Sequence, residues 1–243
     1  MMNYRSRIYE RYASSFRSTG LDFDKQAMSR WGRAFDYYFR GWLPVRKDAA
    51  IADLGCGNGN LLYFFKQRGY TCVSGVDISP EQVQIARQVN PDVIAVNVID
   101  FLENHTETFD LITGLDIIEH LQKDEILRFL DGCLAALKPN GRVILQTPNA
   151  ESPWSNSIRY GDFTHEVCFS PCSLGSLLRL CGFDRIEARE EGAIAWGYSF
   201  VSSVRYLLWQ VIRLKLKIYN VIETGQAGCG VFTRVFAISG CKR

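Results

Sequence analysis

The chain has 243 residues, 47% of them hydrophobic and 22% charged, and its formal net charge is +2. This length suits one α/β domain with an appended segment rather than two full domains, and the balanced charge argues against a nucleic-acid partner. The first residues lead into no apolar signal sequence, so we expect a cytoplasmic protein.

Two short helices are predicted before the first strand. Ile8 and Tyr12 recur at helical spacing between Tyr4 and Phe16, and a second aromatic stripe follows. The stripe consists of Trp31, Phe35, Tyr38, Phe39 and Trp42. Residues 1–45 therefore form a helical N-terminal segment. Packing into the hydrophobic core is one interpretation of its aromatic residues.

A glycine-rich turn after the first predicted strand carries the clearest functional signal. The segment Ile51–Gly59 predicts a buried strand that enters a turn and then a helix. The turn contains three glycines, Gly55, Gly57 and Gly59. Glycines leave backbone amides open to a ligand, and the positive end of the helix that begins near Asn60 points at the same space. The turn therefore predicts a site for a nucleoside-like cofactor.

The spacing of these glycines and a nearby acid narrow the choice of cofactor. A dinucleotide fingerprint requires glycine at position 60, where this chain has Asn60. Asp53 precedes the first glycine by two residues, and its negative charge suits a sulfonium and an ammonium group better than a pyrophosphate. The acid-x-Gly-x-Gly-x-Gly pattern resembles the motif of class I S-adenosylmethionine-dependent methyltransferases. The resemblance implies S-adenosylmethionine as the cofactor, with a site that includes Asp53, Gly55, Gly57 and Gly59.

An acid at the end of the second strand extends the resemblance. That strand, predicted at residues 71–76, ends in Asp77, where an acid can accept hydrogen bonds from both ribose hydroxyls of a nucleoside. A role at the start of the next helix is the alternative for Asp77, because Ser79 and Pro80 begin that helix. The resemblance favours ribose binding, with Ile78 beside it.

Two further strand ends complete the cofactor site that the resemblance implies. After a strand predicted at residues 93–98, Asp100 and Phe101 match the positions that bind adenine in this family. A fourth strand at residues 109–114 leads into the run Leu115–Leu121, which is similar to a family segment beside the methyl group. The resemblance implies that this part of the cleft is lined by Leu115, Asp116 and His120.

Strand and helix patterns alternate through the centre of the chain, with a helix at residues 123–137, a turn at 138–141 and a strand at 142–146. This alternation predicts an α/β fold with a doubly wound, mostly parallel sheet that binds ligands at the carboxyl ends of its strands. The resemblance implies a single Rossmann-like methyltransferase domain of seven strands over residues 1–243. Residues 46–190 would form its cofactor-binding core, and the N-terminal helices would cover the cofactor.

The loop at residues 148–171 is the candidate acceptor region, since a long polar and aromatic loop in a compact domain is usually functional. Its Thr164-His165 pair and the Phe-Ser-Pro run that follows are similar to those of ubiquinone-type and glycan O-methyltransferases. We therefore expect methyl transfer to a sugar hydroxyl of a small-molecule or lipid-linked glycan precursor, with a polyprenyl phenol or another small molecule as the alternative. A non-catalytic protein that binds S-adenosylmethionine is a hypothesis of another class.

His165 is the candidate general base, because a hydroxyl acceptor has to lose its proton near the transition state. A histidine that holds the loop on the sheet by hydrogen bonds is an equally supported alternative. The histidines and acids show no metal-ligand spacing, and the eight cysteines include no Cys-x-x-Cys pair. We therefore expect neither a metal site nor a disulfide framework.

An insertion at residues 191–229 is predicted before a last, antiparallel strand at residues 230–243. A helix over residues 204–222 places apolar side chains on one face and Arg213 and Lys217 on the opposite face. Packing on its own domain is the simplest interpretation of this helix. A lid, a homodimer contact and a peripheral membrane contact are the alternatives.

Overall fold

The computed structural model describes most of the chain, namely residues 4–16, 22–194 and 199–243. Parts of two predicted segments lie outside the described residues, namely 1–3 and 17–21 of the N-terminal segment and 195–198 of the insertion. Within the described ranges, no helix combines the length and the apolar character needed to cross a membrane.

A seven-stranded sheet forms the centre of the fold. Its strands are β1 (Ile51–Leu54), β2 (Val73–Asp77), β3 (Val93–Ala95), β4 (Phe109–Leu115), β5 (Leu137–Pro148), β6 (Asp184–Glu190) and β7 (Val235–Cys241). Their spatial order is β3-β2-β1-β4-β5-β7-β6, and β7 is antiparallel to both of its neighbours while the other pairs are parallel. The predicted doubly wound, mostly parallel sheet with an antiparallel last strand is confirmed.

Helices precede, connect and cover these strands. They are α1 (Tyr4–Tyr9), α2 (Lys25–Tyr38), α3 (Asn60–Gln67), α4 (Pro80–Ala86), α5 (Val98–Glu103), α6 (Lys123–Ala136), α7 (Ser155–Arg159), α8 (Pro171–Leu180) and α9 (Phe200–Thr224). A π-helical turn at Tyr12–Phe16 follows α1, and a 3₁₀ turn at Ile118–His120 follows β4. The predicted N-terminal helices and the helical insertion are both present.

Alternate residues of the strands pack into two hydrophobic clusters, one on each face of the sheet. Along β5, Val143 and Leu145 belong to one cluster and Ile144 belongs to the other. This division follows from strand geometry, because successive side chains point to opposite faces. Helices α5, α6 and α8 contribute to the first cluster, whereas α2, α3 and α4 contribute to the second. Both faces are therefore covered, and ligands can approach at the strand ends.

Two strand boundaries differ from the prediction near the last strand. β7 begins at Val235 rather than at residue 230, because the Asn149 side-chain amide donates to the carbonyl oxygens of Val231 and Thr233, both at 2.9 Å. Those carbonyls lie just before the strand and are bound to a side chain. β5 already begins at Leu137, so the predicted turn at 138–141 lies within this strand.

Candidate functional site

The turn between β1 and α3 follows a backbone path that glycine adopts most readily. Gly55, Gly57 and Gly59 have φ angles of 67°, 52° and 89°. A Cβ atom at Gly55 would lie 2.7 Å from Ile117 Cδ1, and one at Gly59 would lie 3.1 Å from Ala86 Cα. A Cβ atom at Gly57 would meet no atom of the described residues within 4 Å, its chain neighbours aside. Gly55 and Gly59 thus permit close packing, whereas Gly57 leaves room for a ligand.

A cavity of about 510 Å³ lies beside this turn, at the carboxyl ends of β1, β2 and β4. Most of the predicted cofactor residues line it, namely Asp53, Gly55, Gly57, Asp77, Ile78, Leu115, Asp116 and His120. The lining does not include Gly59, Asp100, Phe101 or His165. The volume lies within the range of about 300–1,000 Å³ that is typical of small-molecule sites.

Asp77 supports the turn and the start of the next helix together. Its Oδ2 accepts a hydrogen bond from Gly57 N at 2.9 Å, and its Oδ1 accepts one from Ser79 N at 2.8 Å. Each carboxylate oxygen can accept more than one hydrogen bond, including one from a ribose hydroxyl. The geometry is therefore compatible with both predicted roles of Asp77. Ile78 follows it at the edge of the cavity and is 47% exposed.

Asp53 is a buried carboxyl group at the end of β1. Its side chain is 2% exposed, and its Oδ1 accepts a hydrogen bond from Thr113 Oγ1 at 2.8 Å. Burial, together with the charge of Asp77, raises the pKa of Asp53 to about 7. A cationic ligand group in the cavity would stabilise the ionised carboxylate. Together with the open space at Gly57, this buried acid fits a cofactor that carries a sulfonium and an ammonium group.

The predicted adenine-binding residues Asp100 and Phe101 do not line the cavity, and the strand boundary predicted before them is corrected by the position of helix α5. Asn97 Oδ1 accepts a hydrogen bond from Ile99 N at 2.8 Å and caps α5, so β3 ends at Ala95 rather than at residue 98. Asp100 is consequently an exposed residue of the first helical turn, and Phe101 is buried in the core.

Asn97 and Val98 line the cavity at this strand end instead. The sequence contained a signal for this arrangement, because an asparagine followed three residues later by an acid is typical of a helix start. The same signal explains why Asp100 does not line the cavity, since it belongs to the first turn of a helix. Asn97, the residue that caps this helix, is therefore the polar residue that lines the cavity at this strand end.

A bend after β4 brings Asp116 to the cavity. Its φ angle is 52°, which is uncommon for a residue other than glycine. Both of its carboxylate oxygens lie 3.1 Å from Gln146 Nε2, and its backbone N donates to the Gln146 carbonyl oxygen at 3.0 Å. Gln146 thus holds the bend, and the 3₁₀ turn that follows carries His120 to the same cavity.

Glu119, His120 and His165 form a cluster that the sequence spacing did not indicate. Each offers one potential metal-ligand atom, and these atoms lie within 4.8 Å of one another. Glu119 is 1% exposed, and its Oε2 accepts a hydrogen bond from Thr147 Oγ1 at 3.0 Å. Its Oε1 has no hydrogen-bond partner among the described residues. Burial raises the pKa of Glu119 well above its ordinary value, and the charge of Asp116 adds to this effect.

The two histidines of this cluster are in contact and differ in their hydrogen bonding. Their ring centroids are 4.8 Å apart. Thr164 Oγ1 lies 2.8 Å from His120 Nδ1 and donates to Asp162 Oδ1 at 2.6 Å, which assigns the His120 proton to Nδ1. His165 Nδ1 is buried, and no described atom forms a hydrogen bond with it. Chemically, such a cluster can accept a proton or hold a divalent cation.

The N-terminal elements cover this side of the cavity. Arg5 Nη1 forms an ion pair with Glu125 Oε2 at 2.7 Å, and Arg5 Nη2 donates to the His120 carbonyl oxygen at 2.8 Å. Tyr12 Oη donates to Asp162 Oδ2 at 2.9 Å. Three residues of these elements line the cavity, namely Arg5, Tyr9 and Tyr12. Sequence reasoning assigned none of these contacts, because helical spacing does not show what a short helix covers.

Helix α2 and the turn that follows it combine core packing with a contribution to the cavity. Phe39 and Trp42 are buried in the core, being 0% and 4% exposed. Trp31 is 57% exposed and lines the cavity together with Phe35. Both interpretations of the aromatic stripe therefore apply, each to a different part of it.

Comparison with known families agrees with this geometry. A family model described as Methyltransferase domain matches residues 23–188, which is more than half of the chain. The chain belongs to this methyltransferase family. The match confirms the predicted class I S-adenosylmethionine-dependent methyltransferase and its predicted cofactor.

Two curated proteins that are similar in sequence to this methyltransferase are O-methyltransferases by name. The ubiquinone biosynthesis O-methyltransferase of Actinobacillus pleuropneumoniae serotype 5b (strain L20) is 32% identical over 41% of this chain and 45% of its own length. The small RNA 2′-O-methyltransferase of Mus musculus is 33% identical over 55% of this chain and 38% of its own length. The matches thus span less than half the length of these two relatives.

A solved structure shows the same fold over the whole methyltransferase chain. An S-adenosylmethionine-dependent methyltransferase from Archaeoglobus fulgidus aligns with 99% of this chain and 100% of its own, with a TM-score of 0.64 and 20% identity. The likeness supports the predicted Rossmann-like architecture.

Proposed function

We propose that this methyltransferase transfers the methyl group of S-adenosylmethionine to a hydroxyl oxygen of an acceptor. The observation that carries the proposal is the cluster of the buried Glu119 with the half-buried His120 and His165, of which His120 lines the cavity. O-methylation requires removal of a hydroxyl proton near the transition state, and this cluster offers groups that can assist it. The names of both curated relatives support oxygen as the methylated atom.

Different residues of the cavity would bind different parts of the cofactor. S-adenosylmethionine supplies a methyl group that its sulfonium has already activated. Asp77 and Ile78 would bind the ribose, Gly55 and Gly57 would let the backbone approach the cofactor, and Asp53 would face its cationic groups. Leu115, Asp116 and His120 would lie beside the methionine moiety, while Asn97 would take the adenine-side position first expected of Asp100. Gly59 would contribute by packing, since its Cβ position faces Ala86.

His165 is the proposed general base of the reaction. The acceptor oxygen attacks the methyl carbon as the carbon–sulfur bond breaks, and the hydroxyl proton passes to the His165 imidazole. The His165 ring contacts His120, which lines the cavity, and its Nδ1 has no hydrogen-bond partner in the described part of the chain. The covering residues Arg5, Tyr9 and Tyr12 would exclude water while the acceptor is held in line.

A divalent cation is the second candidate role for the cluster. Glu119, His120 and His165 offer one carboxylate and two imidazole groups, which suit several first-row metal ions. A cation bound there would lower the pKa of the acceptor hydroxyl. Metal dependence, which the sequence spacing did not favour, therefore has to be tested alongside the His165 base.

The proposed acceptor is a sugar hydroxyl of a glycan precursor, either a small molecule or lipid-linked. Exposed aromatic residues of the acceptor loop offer surfaces on which a sugar or phenol ring can stack, namely Trp154, Tyr160 and Phe163. A polyprenyl phenol or another small molecule is the alternative, and the ubiquinone relative supports it. The relative named for 2′-O-methylation of small RNA adds a ribose hydroxyl to the acceptors worth testing.

A methyl-transfer screen tests the proposal. Purified protein would be incubated with methyl-labelled S-adenosylmethionine and four acceptor classes: sugar nucleotides, lipid-linked glycans, polyprenyl phenols and short RNA. We expect label in an alkali-stable ether of one class. Binding of S-adenosylmethionine without transfer to any class would instead support a non-catalytic binding protein. Loss of transfer with EDTA, restored by Mn²⁺ or Mg²⁺, would assign the cluster to a cation, and transfer unaffected by EDTA would favour His165 as the base.

A further inference from the structure

Helix α9 contacts its own domain through its polar side. Ser202 is the buried residue of this helix. Trp209 Nε1 donates to Glu190 Oε2 at 3.1 Å, and Arg213 Nε donates to the Gly230 carbonyl oxygen at 3.0 Å. Arg213 also lies 3.7 Å from Glu190 Oε2. The helix therefore packs on its domain as expected, but its apolar face is turned away from the domain.

The outward side of α9 carries a regular row of large apolar residues. They recur in alternating steps of three and four residues, at Val204, Leu207, Val211, Leu214, Ile218 and Val221. Each of these side chains is between 39% and 58% exposed. The first, third and fifth are β-branched, and the second and fourth are leucines. This is the heptad pattern of a two-stranded coiled coil, with β-branched residues at every position a and leucine at two of the three d positions.

We propose that α9 pairs with α9 of a second copy of this chain as a short, parallel, two-stranded coiled coil. The six residues of the row form its seam. Ser202 and Trp209 occupy the position opposite the seam, so attachment of α9 to its own domain leaves the seam accessible. In a parallel pair, each position g faces the following position e of the other helix. Gln210 and Lys217 are at position g, so Gln210 meets Lys215 and Lys217 meets Ile222. These pairs contain no like charges.

The exposed apolar area of α9 is larger than monomers usually leave uncovered. Twelve large apolar side chains of α9 are exposed, and they include the six seam residues. Together the twelve present on the order of 1,000 Å², whereas monomers rarely expose contiguous apolar patches beyond a few hundred Å². A lipid surface could also cover an apolar face, but it would not require β-branched residues and leucines to alternate in heptad order. The row therefore favours a second helix.

Sedimentation equilibrium of the full chain tests this proposal. We expect a dimer for the parent protein and at least a 100-fold weaker dimer for Leu214→Glu, because two glutamates would face each other across the seam. Ile212→Glu is the matched control, since Ile212 is 48% exposed on the same helix but lies outside the seam. We expect it to remain dimeric. Circular dichroism of both variants would verify that each is folded, so a monomeric Leu214→Glu reports the seam itself.

Two further measurements separate the alternatives. Leu207→Cys and Val221→Cys should each form a disulfide with their own copies, because a parallel pair places equal positions together at both ends of the helix. Failure of either to cross-link above the parent background would overturn the parallel arrangement. A monomeric parent would overturn the dimer. If that monomer floats with phosphatidylcholine–phosphatidylglycerol vesicles and both glutamate variants abolish flotation, the occupant is a membrane surface.

Discussion

The two halves of the cleft are built in different ways. Backbone groups dominate the cofactor half, where Asp77 binds the amides of Gly57 and Ser79 at the ends of β1 and β2. Side chains from separate segments dominate the proposed acceptor half, where the cluster of Glu119, His120 and His165 reaches the cavity at His120. A backbone turn can be kept while the side chains of loops change. The cofactor half therefore suits a cofactor that many enzymes share, and the acceptor half suits one particular acceptor.

Replacing His165 would affect the acceptor half alone. We expect His165→Ala to lower turnover by about 10²- to 10⁴-fold, the usual effect of losing a general base. Its affinity for S-adenosylmethionine should stay unchanged, since His165 does not line the cavity. His105→Ala is the matched control, because His105 packs on Phe101 with ring centroids 4.2 Å apart and lies outside the cluster. Turnover of His165→Ala close to that of the control would leave His165 with a structural role.

Replacing Asp77 would affect the cofactor half. We expect Asp77→Ala to weaken S-adenosylmethionine binding by about 100-fold, because ribose hydroxyls would lose a charged acceptor. Asp100→Ala should bind the cofactor as the parent does, since Asp100 is exposed on α5. Calorimetric titration of the two variants compares them directly. Equal affinities would contradict the assignment of the ribose to Asp77, and weaker binding by Asp100→Ala would contradict the corrected position of the adenine edge.

The raised pKa of Asp53 predicts how stability depends on pH. Because its folded-state pKa of about 7 lies above its ordinary value of 3.8, the folded protein holds a proton that the unfolded chain releases. The free energy of unfolding therefore falls as the pH rises from about 4 to 7. Asp53→Asn cannot titrate and can still accept from Thr113. Relative to the parent, we expect its free energy of unfolding to increase by on the order of 2 kcal/mol between about pH 5 and about pH 8.

Urea unfolding at both pH values measures this difference. The comparison with the parent isolates Asp53, because other buried acids such as Glu119 and Glu191 are present in both proteins. If the difference in the free energy of unfolding between Asp53→Asn and the parent does not change with pH, the carboxyl group of Asp53 titrates near its ordinary pKa.

Two glycines separate backbone strain from ligand contact. Gly57 and Gly69 have φ angles of 52° and 81°, and at neither would a Cβ atom meet a described residue within 4 Å, chain neighbours aside. We expect Gly57→Ala and Gly69→Ala to lose about 1 kcal/mol of stability each. Only Gly57→Ala should weaken cofactor binding, since Gly57 lines the cavity. If the two variants bind the cofactor with equal affinity, the proposed close approach of the cofactor to Gly57 is contradicted.

The sequence predicted the glycine turn and the ends of β1 and β2 well, because their signals are local. The spacing of Gly55, Gly57 and Gly59 requires a tight turn, and the strand before it ends where the sheet places its ligands. Asp77 follows the next strand directly. The error at Asp100 also has a local cause, since the Asn97 cap starts α5 earlier than the strand pattern indicated.

The acceptor half and the outward face of α9 depend on contacts that the sequence does not show. Glu119 and His165 are far apart in the chain, and the hydrogen bonds of Glu166 N and Val167 N to the Glu119 carbonyl oxygen bring their segments together. For α9, the helical pattern distinguished an apolar face from a polar face. Which of them meets the domain is decided by Glu190 and Gly230, which contact Arg213.

Calorimetric titration with S-adenosylmethionine, S-adenosylhomocysteine and NADH tests the central claim most directly. The geometry of the glycine turn and the buried Asp53 predict micromolar binding of the first two ligands and no binding of NADH, because the chain has Asn60 where a dinucleotide site requires glycine. Binding of NADH, or no binding of S-adenosylmethionine, would contradict the assignment of the cavity to this cofactor.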